Sequence, residues 1–190
     1  MADNFSLFSN DIRKGGLGSR KPRRLNTLLM RILIIVTIVL SIILFGCSTP
    51  KVSPIEKLPS IRLTALDGKS TFLTDSLTEQ QPVVLLWFDP ECPNCDAEIR
   101  SIINNMDSLR HVQFVFLSLV SVEQIRGFVK HHQLNTYANI KVGQDTKFEF
   151  PKLFDVSSVP VTAVYGKNKA LRQVFLGSAT YSNILQEIKL

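Results

Sequence analysis

The sequence predicts an α/β domain over residues 61–190, a central β-sheet with helices on its faces. Val83–Phe88 and Val112–Leu119 are largely apolar and of strand length, as buried inner strands are. Segments with apolar residues at helical spacing alternate with such strands. After Pro160, two further strands joined by a turn at Gly166–Lys169 close the sheet.

Residues 1–47 read as a signal or anchor segment. Arg13, Lys14, Arg20, Lys21, Arg23, Arg24 and Arg31 stand there against only Asp3 and Asp11, so this segment carries most of the chain's net charge of +6. The remainder is nearly neutral, which removes support for nucleic-acid binding. Ile32–Phe45 is apolar apart from Thr37 and Ser41. It falls short of the ~20 residues of a spanning helix and suits the core of a secretory signal. Met30-Arg31 could open a compact signal by itself, which makes Met30 the expected start and residues 1–29 an extension. The alternative is an uncleaved anchor helix, with Arg20–Arg24 held on the cytoplasmic side. Either places the rest of the chain outside the cytoplasmic membrane. Residues 48–60, with Pro50, Pro54 and Pro59, read as a flexible tether.

The domain elements follow in order. Ile61–Leu66 alternates as a half-buried strand, Asp67-Gly68 is a hairpin turn, and Ser70–Leu73 returns, giving an N-terminal β-hairpin. Val83–Phe88 is the central strand. Ala97, Ile99, Ile102, Ile103 and Met106 define a helix from about Cys92 to Leu109. After the strand at Val112–Leu119, Ser121 caps a helix through about His132, with Ile125, Phe128 and Val129 inward. Asn139–Val142 is a short strand closed by Gly143–Asp145, and a helical turn reaches Phe154. Val161–Tyr165 and Ala170–Leu176 form the closing pair, and Ser178–Leu190 a terminal helix with Tyr181, Ile184, Leu185 and Ile188 inward. His131-His132 reads as surface, and Phe148, Phe150 and Phe154 as core.

The chemistry lies in Cys92-Pro93-Asn94-Cys95, at the junction of the central strand and its helix. Free backbone N–H groups and the helix dipole there favour a thiolate over a thiol. Cys92, at the helix start, is the expected nucleophile, and Cys95, one turn inside, the resolving thiol. Such a pair can close a small disulfide and reopen it by exchange with another protein. A zinc half-site would need two more ligands. Cys47 and the scattered His111, His131 and His132 do not supply them, so neither metal nor cofactor is expected. A static bridge over so short a loop would remove little unfolded-state entropy. Asp89 and Glu91 flank the nucleophile and would oppose thiolate formation if close.

Two resemblances extend this reading. Leu44-Phe45-Gly46-Cys47 resembles the lipobox of bacterial lipoproteins, which implies cleavage before Cys47 and lipid on it. Over residues 58–190 the chain resembles the TlpA/ResA-like thiol-disulfide oxidoreductases, thioredoxin-fold relatives of the AhpC/TSA group. Four matches carry it: Leu66-Asp67-Gly68-Lys69; Trp87-Phe88 leading to Cys92-Pro93-Asn94-Cys95; Glu98; and Val156-Ser157-Ser158-Val159-Pro160. Ile140–Asp145 and the turn after it match the family's extra strand and helix. The resemblance implies a central mixed sheet, a cis peptide at Pro160, and a client-binding surface formed by Pro160, Val159 and Trp87. It also implies a carboxyl at Glu98 behind the thiols, on the same helix face as Cys95, which could move a proton as the second thiol reacts. A solvated helix glutamate is the other reading of Glu98.

The chain departs from thioredoxin at Leu86, where a buried Asp stands in cytoplasmic members, and at Val161, usually Thr. The expected activity is extracytoplasmic disulfide exchange with disulfide-bearing or dithiol clients, as a reductant recharged by a membrane electron donor. The expected state is a monomer anchored by lipid on Cys47 or by an N-terminal helix. An AhpC/TSA-type peroxidase is an alternative; Phe88-Asp89-Pro90-Glu91 lacks the hydroxyl such a site wants before its thiol. A thioredoxin-fold binding lipoprotein without enzyme activity is the other.

Overall fold

Seven strands form one mixed sheet in the order β2-β1-β5-β4-β3-β6-β7. The computed structural model describes residues 29–36, 55–77 and 80–189. Residues 29–36 are helical and belong to a unit ending at Pro50, separate from the domain that follows. No helix among the described residues is long and apolar enough to cross a membrane. Most of Ile32–Phe45, and all of the lipobox with Cys47, lie outside the described residues.

The hairpin strands are β1 (Arg62–Ala65) and β2 (Thr71–Leu73). Between them, Asp67 Oδ1 accepts from the N–H groups of Lys69 and Ser70 at 2.8 Å, and Gly68 takes a φ of 73°. That left-handed value suits glycine at no steric cost. The inner strands β3 (Val83–Trp87) and β4 (Gln113–Ser118) run parallel. β4 also pairs in parallel with β5 (Ile140–Gln144). β6 (Val161–Tyr165) runs antiparallel beside β3, and β7 (Leu171–Leu176) antiparallel beside β6, which completes the sheet. This mixed sheet agrees with the α/β expectation.

Strand alternation divides the core between the two faces. Val84, Leu86, Phe88, Phe114 and Phe116 meet helices α1 (Pro93–Asn104), α3 (Val122–His131) and α5 (Tyr181–Lys189) through Ile99, Ile102, Ile125, Phe128 and Ile184. Leu85, Trp87, Val115, Leu117 and Tyr165 face the other way, onto Phe150 and Phe154 of α4 (Glu149–Phe154).

Five details differ from the sequence reading. The helix expected to Leu109 breaks at Asn105, whose side chain donates to the Ser101 carbonyl at 2.8 Å, and a short α2 (Met106–Leu109) follows. Apolar spacing runs through the break, which conceals it. Gly143 is not a turn residue but lies inside β5, paired with Ala65 on one side and Leu117 on the other. Phe148 is half exposed, while Phe150 and Phe154 are core. His132 is not surface: its side chain is only 6% exposed. The stretch read as the end of a tether is packed, with Leu58 and Pro59 buried. The Leu58 N–H donates to the Lys169 carbonyl and the Leu171 N–H to that of Glu56, at 2.9 and 2.8 Å.

Candidate active site

The central strand delivers the chain to the top of the sheet, where α1 begins. Cys92 is the N-cap of α1, in extended backbone conformation with Pro93 directly after it. Proline suits this position because the N–H it lacks has no intrahelical partner there. Cys92 Sγ takes the capping role usually played by an oxygen, accepting the Cys95 N–H at 3.2 Å. Upstream, Asp89 orders the approach: its carbonyl accepts the Cys92 N–H at 3.1 Å, and its Oδ1 the Glu91 N–H at 2.8 Å.

The two sulfurs occupy different environments. Cys92 is partly exposed and Cys95 buried, both as free thiols. Burial first, and then the neighbouring Cys92 sulfur, hold the Cys95 thiol well above its ordinary pKa; Glu98 acts in the same direction. The arrangement therefore pairs a partly exposed sulfur facing the Cys95 N–H with a buried, protonated one.

Glu98 lies behind them and is 2% exposed. Its Oε1 accepts a short hydrogen bond from the Thr162 hydroxyl on β6, and its Oε2 accepts the Ala179 N–H at 3.1 Å. Burial pushes its carboxyl up to about 7, against the opposing pull of those two donors. The solvated-glutamate reading does not hold. A carboxyl titrating near neutrality, one helical turn from a protonated thiol, has the chemistry of a general base.

Trp87, Val159 and Pro160, the residues expected from the resemblance to hold a client, lie at the same end of the sheet. The Val159–Pro160 peptide is cis. Trp87 pairs with Val161 across β3 and β6, which sets Pro160 beside the end of β3. Trp87 itself is 6% exposed, its ring 6.0 Å from Phe150 on the face opposite α1. Only an edge of it reaches a concavity of about 360 Å³ shared with Asp89, Ser158 and Val159. On the other side of Cys92 a groove of about 520 Å³ runs between α1 and α3, walled by Pro90, Pro93, Phe128 and His132.

Several contacts were not read from the sequence. Asp96 Oδ1 lies 3.0 Å from His132 Nε2, and its Oδ2 2.7 Å from Arg100. This ties the first turns of α1 to the end of α3. Burial, partly offset by Asp96, holds the His132 pKa below its ordinary value. The Ser178 hydroxyl donates to the Asn94 carbonyl at 3.2 Å, and the Tyr181 N–H to Ser101 Oγ at 3.2 Å. The start of α5 thus braces α1 from behind. Thr162, the one small polar residue in an otherwise apolar strand, was the available signal. No group of three or more metal-ligating side chains occurs among the described residues.

Comparison with known proteins bears on this geometry. The model of the AhpC/TSA family matches residues 54–177. No curated protein sequence matches the chain. Among solved structures, a secreted disulfide oxidoreductase of Mycobacterium tuberculosis, described as homologous to E. coli DsbE, is 21% identical. It superposes with a TM-score of 0.57 over 68% of this chain and 95% of its own. A thioredoxin-family thiol:disulfide interchange protein of Chlorobium tepidum gives 19% identity and 0.57, over 70% of this chain and 93% of its own. StoA of Bacillus subtilis gives 16% and 0.53, over 70% and 98%. At these identities the likeness is one of fold.

Proposed function

The chain belongs to the AhpC/TSA family and is a thioredoxin-fold oxidoreductase, and from that premise we propose that it exchanges disulfides with client proteins outside the cytoplasmic membrane, acting as a reductant. The observation that carries this reading is the division of labour between the thiols: Cys92 accessible at the helix start, Cys95 buried behind it, and Glu98 buried beyond both.

The reduced protein binds a client segment against the Pro160 loop and the groove beside Cys92. The Cys92 thiolate attacks a client sulfur, the client disulfide breaks, and one client thiolate leaves, giving a mixed disulfide. Glu98 takes the Cys95 proton. The Cys95 thiolate then attacks Cys92 Sγ, and the second client thiolate departs. Two electrons pass to the client, leaving a Cys92–Cys95 disulfide that a membrane electron donor reduces. Val159, Pro160 and the edge of Trp87 hold the client. Lipid on Cys47 or an N-terminal helix keeps the domain at the membrane. The basic leader and the secreted relative support the location.

Reduction of insulin by dithiothreitol tests the reading. The native chain should accelerate it, while Cys92→Ser should not. Rapid consumption of hydrogen peroxide without insulin reduction would instead favour a peroxidase. Inactivity in both assays would favour a binding protein.

A further inference from the structure

We infer that Thr162 is a positioning residue for the second step of exchange: its hydroxyl, donated to Glu98 Oε1, fixes the carboxyl that takes the Cys95 proton. The inference rests on the proton-handling role proposed for Glu98.

Thr162 is fully buried. In β6, Val161, Ala163 and Tyr165 belong to the core beneath α4, so alternation turns Thr162 towards α1. Valine would fill that place as well, and a hydroxyl there costs free energy unless bonded. Its bond goes to Glu98, while the Ala179 N–H holds the other carboxyl oxygen at 3.1 Å. Two elements therefore grip the group from separate directions, β6 and the chain entering α5. The titratable groups facing it on α1 are Cys95 and, beyond it, Cys92. β3 sets Leu86 opposite Thr162, and the entry to α5 offers the Ala179 backbone. The charged groups elsewhere on α1, Asp96 and Arg100, pair with each other and with His132 of the α3 end.

Hydrogen bonds to a carboxylate favour its ionised form, so Thr162 opposes the upward push of burial on Glu98. Without the hydroxyl, Glu98 would stay protonated to higher pH and could not accept the thiol proton near neutrality. The step itself is balanced. The Cys95 proton goes to Glu98, the Cys92–Cys95 bond forms, and the bond between Cys92 and the outgoing sulfur breaks. That sulfur leaves as a thiolate with the bond's electron pair.

Reaction of the full reduced chain, carrying Cys47→Ser to remove the third thiol, with an aromatic disulfide that releases coloured thionitrobenzoate isolates this step. The first release reports attack by Cys92 and the second reports resolution by Cys95. In Thr162→Val the acid limb of the second release should move up by about one pH unit, the size expected for loss of one charge-assisted hydrogen bond. Thr162→Ser should restore it, and Thr162→Ala serves if the valine variant does not fold. Folded Thr162 variants with an unmoved limb would overturn the inference, as would failure of serine to restore it. Glu98→Gln separates the two levels. If its limb persists, the Glu98 role fails and this inference with it. If the limb vanishes there but stays fixed in the Thr162 variants, only the role of Thr162 fails.

Discussion

At the scale of single residues, the decisive contrast is between groups read directly from spacing and groups assembled by the fold. Cys92 and Cys95 are three apart in sequence, so their helix fixes their relation and the sequence reveals it. The state of Glu98 is different, because its two donors come from Thr162 and Ala179, brought in by β6 and the approach to α5. That environment has a consequence for stability. Glu98 titrates at about 7 in the folded chain, against about 4.5 for an ordinary glutamate. The folded state therefore binds more protons between those values. The stability this confers is full below pH about 4.5 and declines as pH rises through about 7. The decline amounts to roughly 3 kcal/mol. Glu98→Gln should remove this slope from a series of thermal melts between pH 4 and 8. Identical slopes in the two proteins would contradict the buried, protonated carboxyl.

At the scale of elements, the strands and helices follow the apolar pattern closely, because the pattern is what packs the two faces. Departures occur where a polar contact or a close approach overrides it. Asn105 interrupts a continuous apolar stripe by turning its amide onto Ser101. His132, charged or polar in any sequence reading, is drawn inward by Asp96 and the Phe128 ring, whose centroid lies 4.3 Å from its own. Gly143 looks like a turn residue but is required where β5 meets β1. A Cβ there would stand 2.9 Å from Leu63 Cβ and 3.0 Å from the Thr64 carbonyl oxygen. Gly143→Ala should therefore displace the hairpin and cost about 1–3 kcal/mol, seen as a lowered Tm with the thiol chemistry retained. An unchanged Tm would show that β1 can move aside freely.

At the scale of the domain, the sheet order brings the ends of β3 and β4 and the start of β6 to one edge, where Asp89, Ser118 and Val159 line one concavity and the Asp89 carbonyl holds the Cys92 N–H. That convergence brings together segments some seventy residues apart, the site proposed for a client, and only the family resemblance hinted at it. The anchoring proposal concerns the other end of the chain. Cys47→Ser should abolish incorporation of labelled fatty acid and leave the precursor unprocessed. Recovery of an unlipidated chain with its leader intact, from cells carrying the native sequence, would establish the anchor-helix alternative. Neither result alters the redox claim, which a trapping experiment tests most directly. Cys95→Ser removes the resolving thiol and leaves Cys92 able to attack, so mixed disulfides should accumulate in cells and be lost on reduction. Peptide mass spectrometry should find client cysteines bonded to Cys92, and the doubly substituted chain lacking both thiols should trap nothing. Absence of such adducts, or adducts that persist when Cys92 is replaced, would contradict the account.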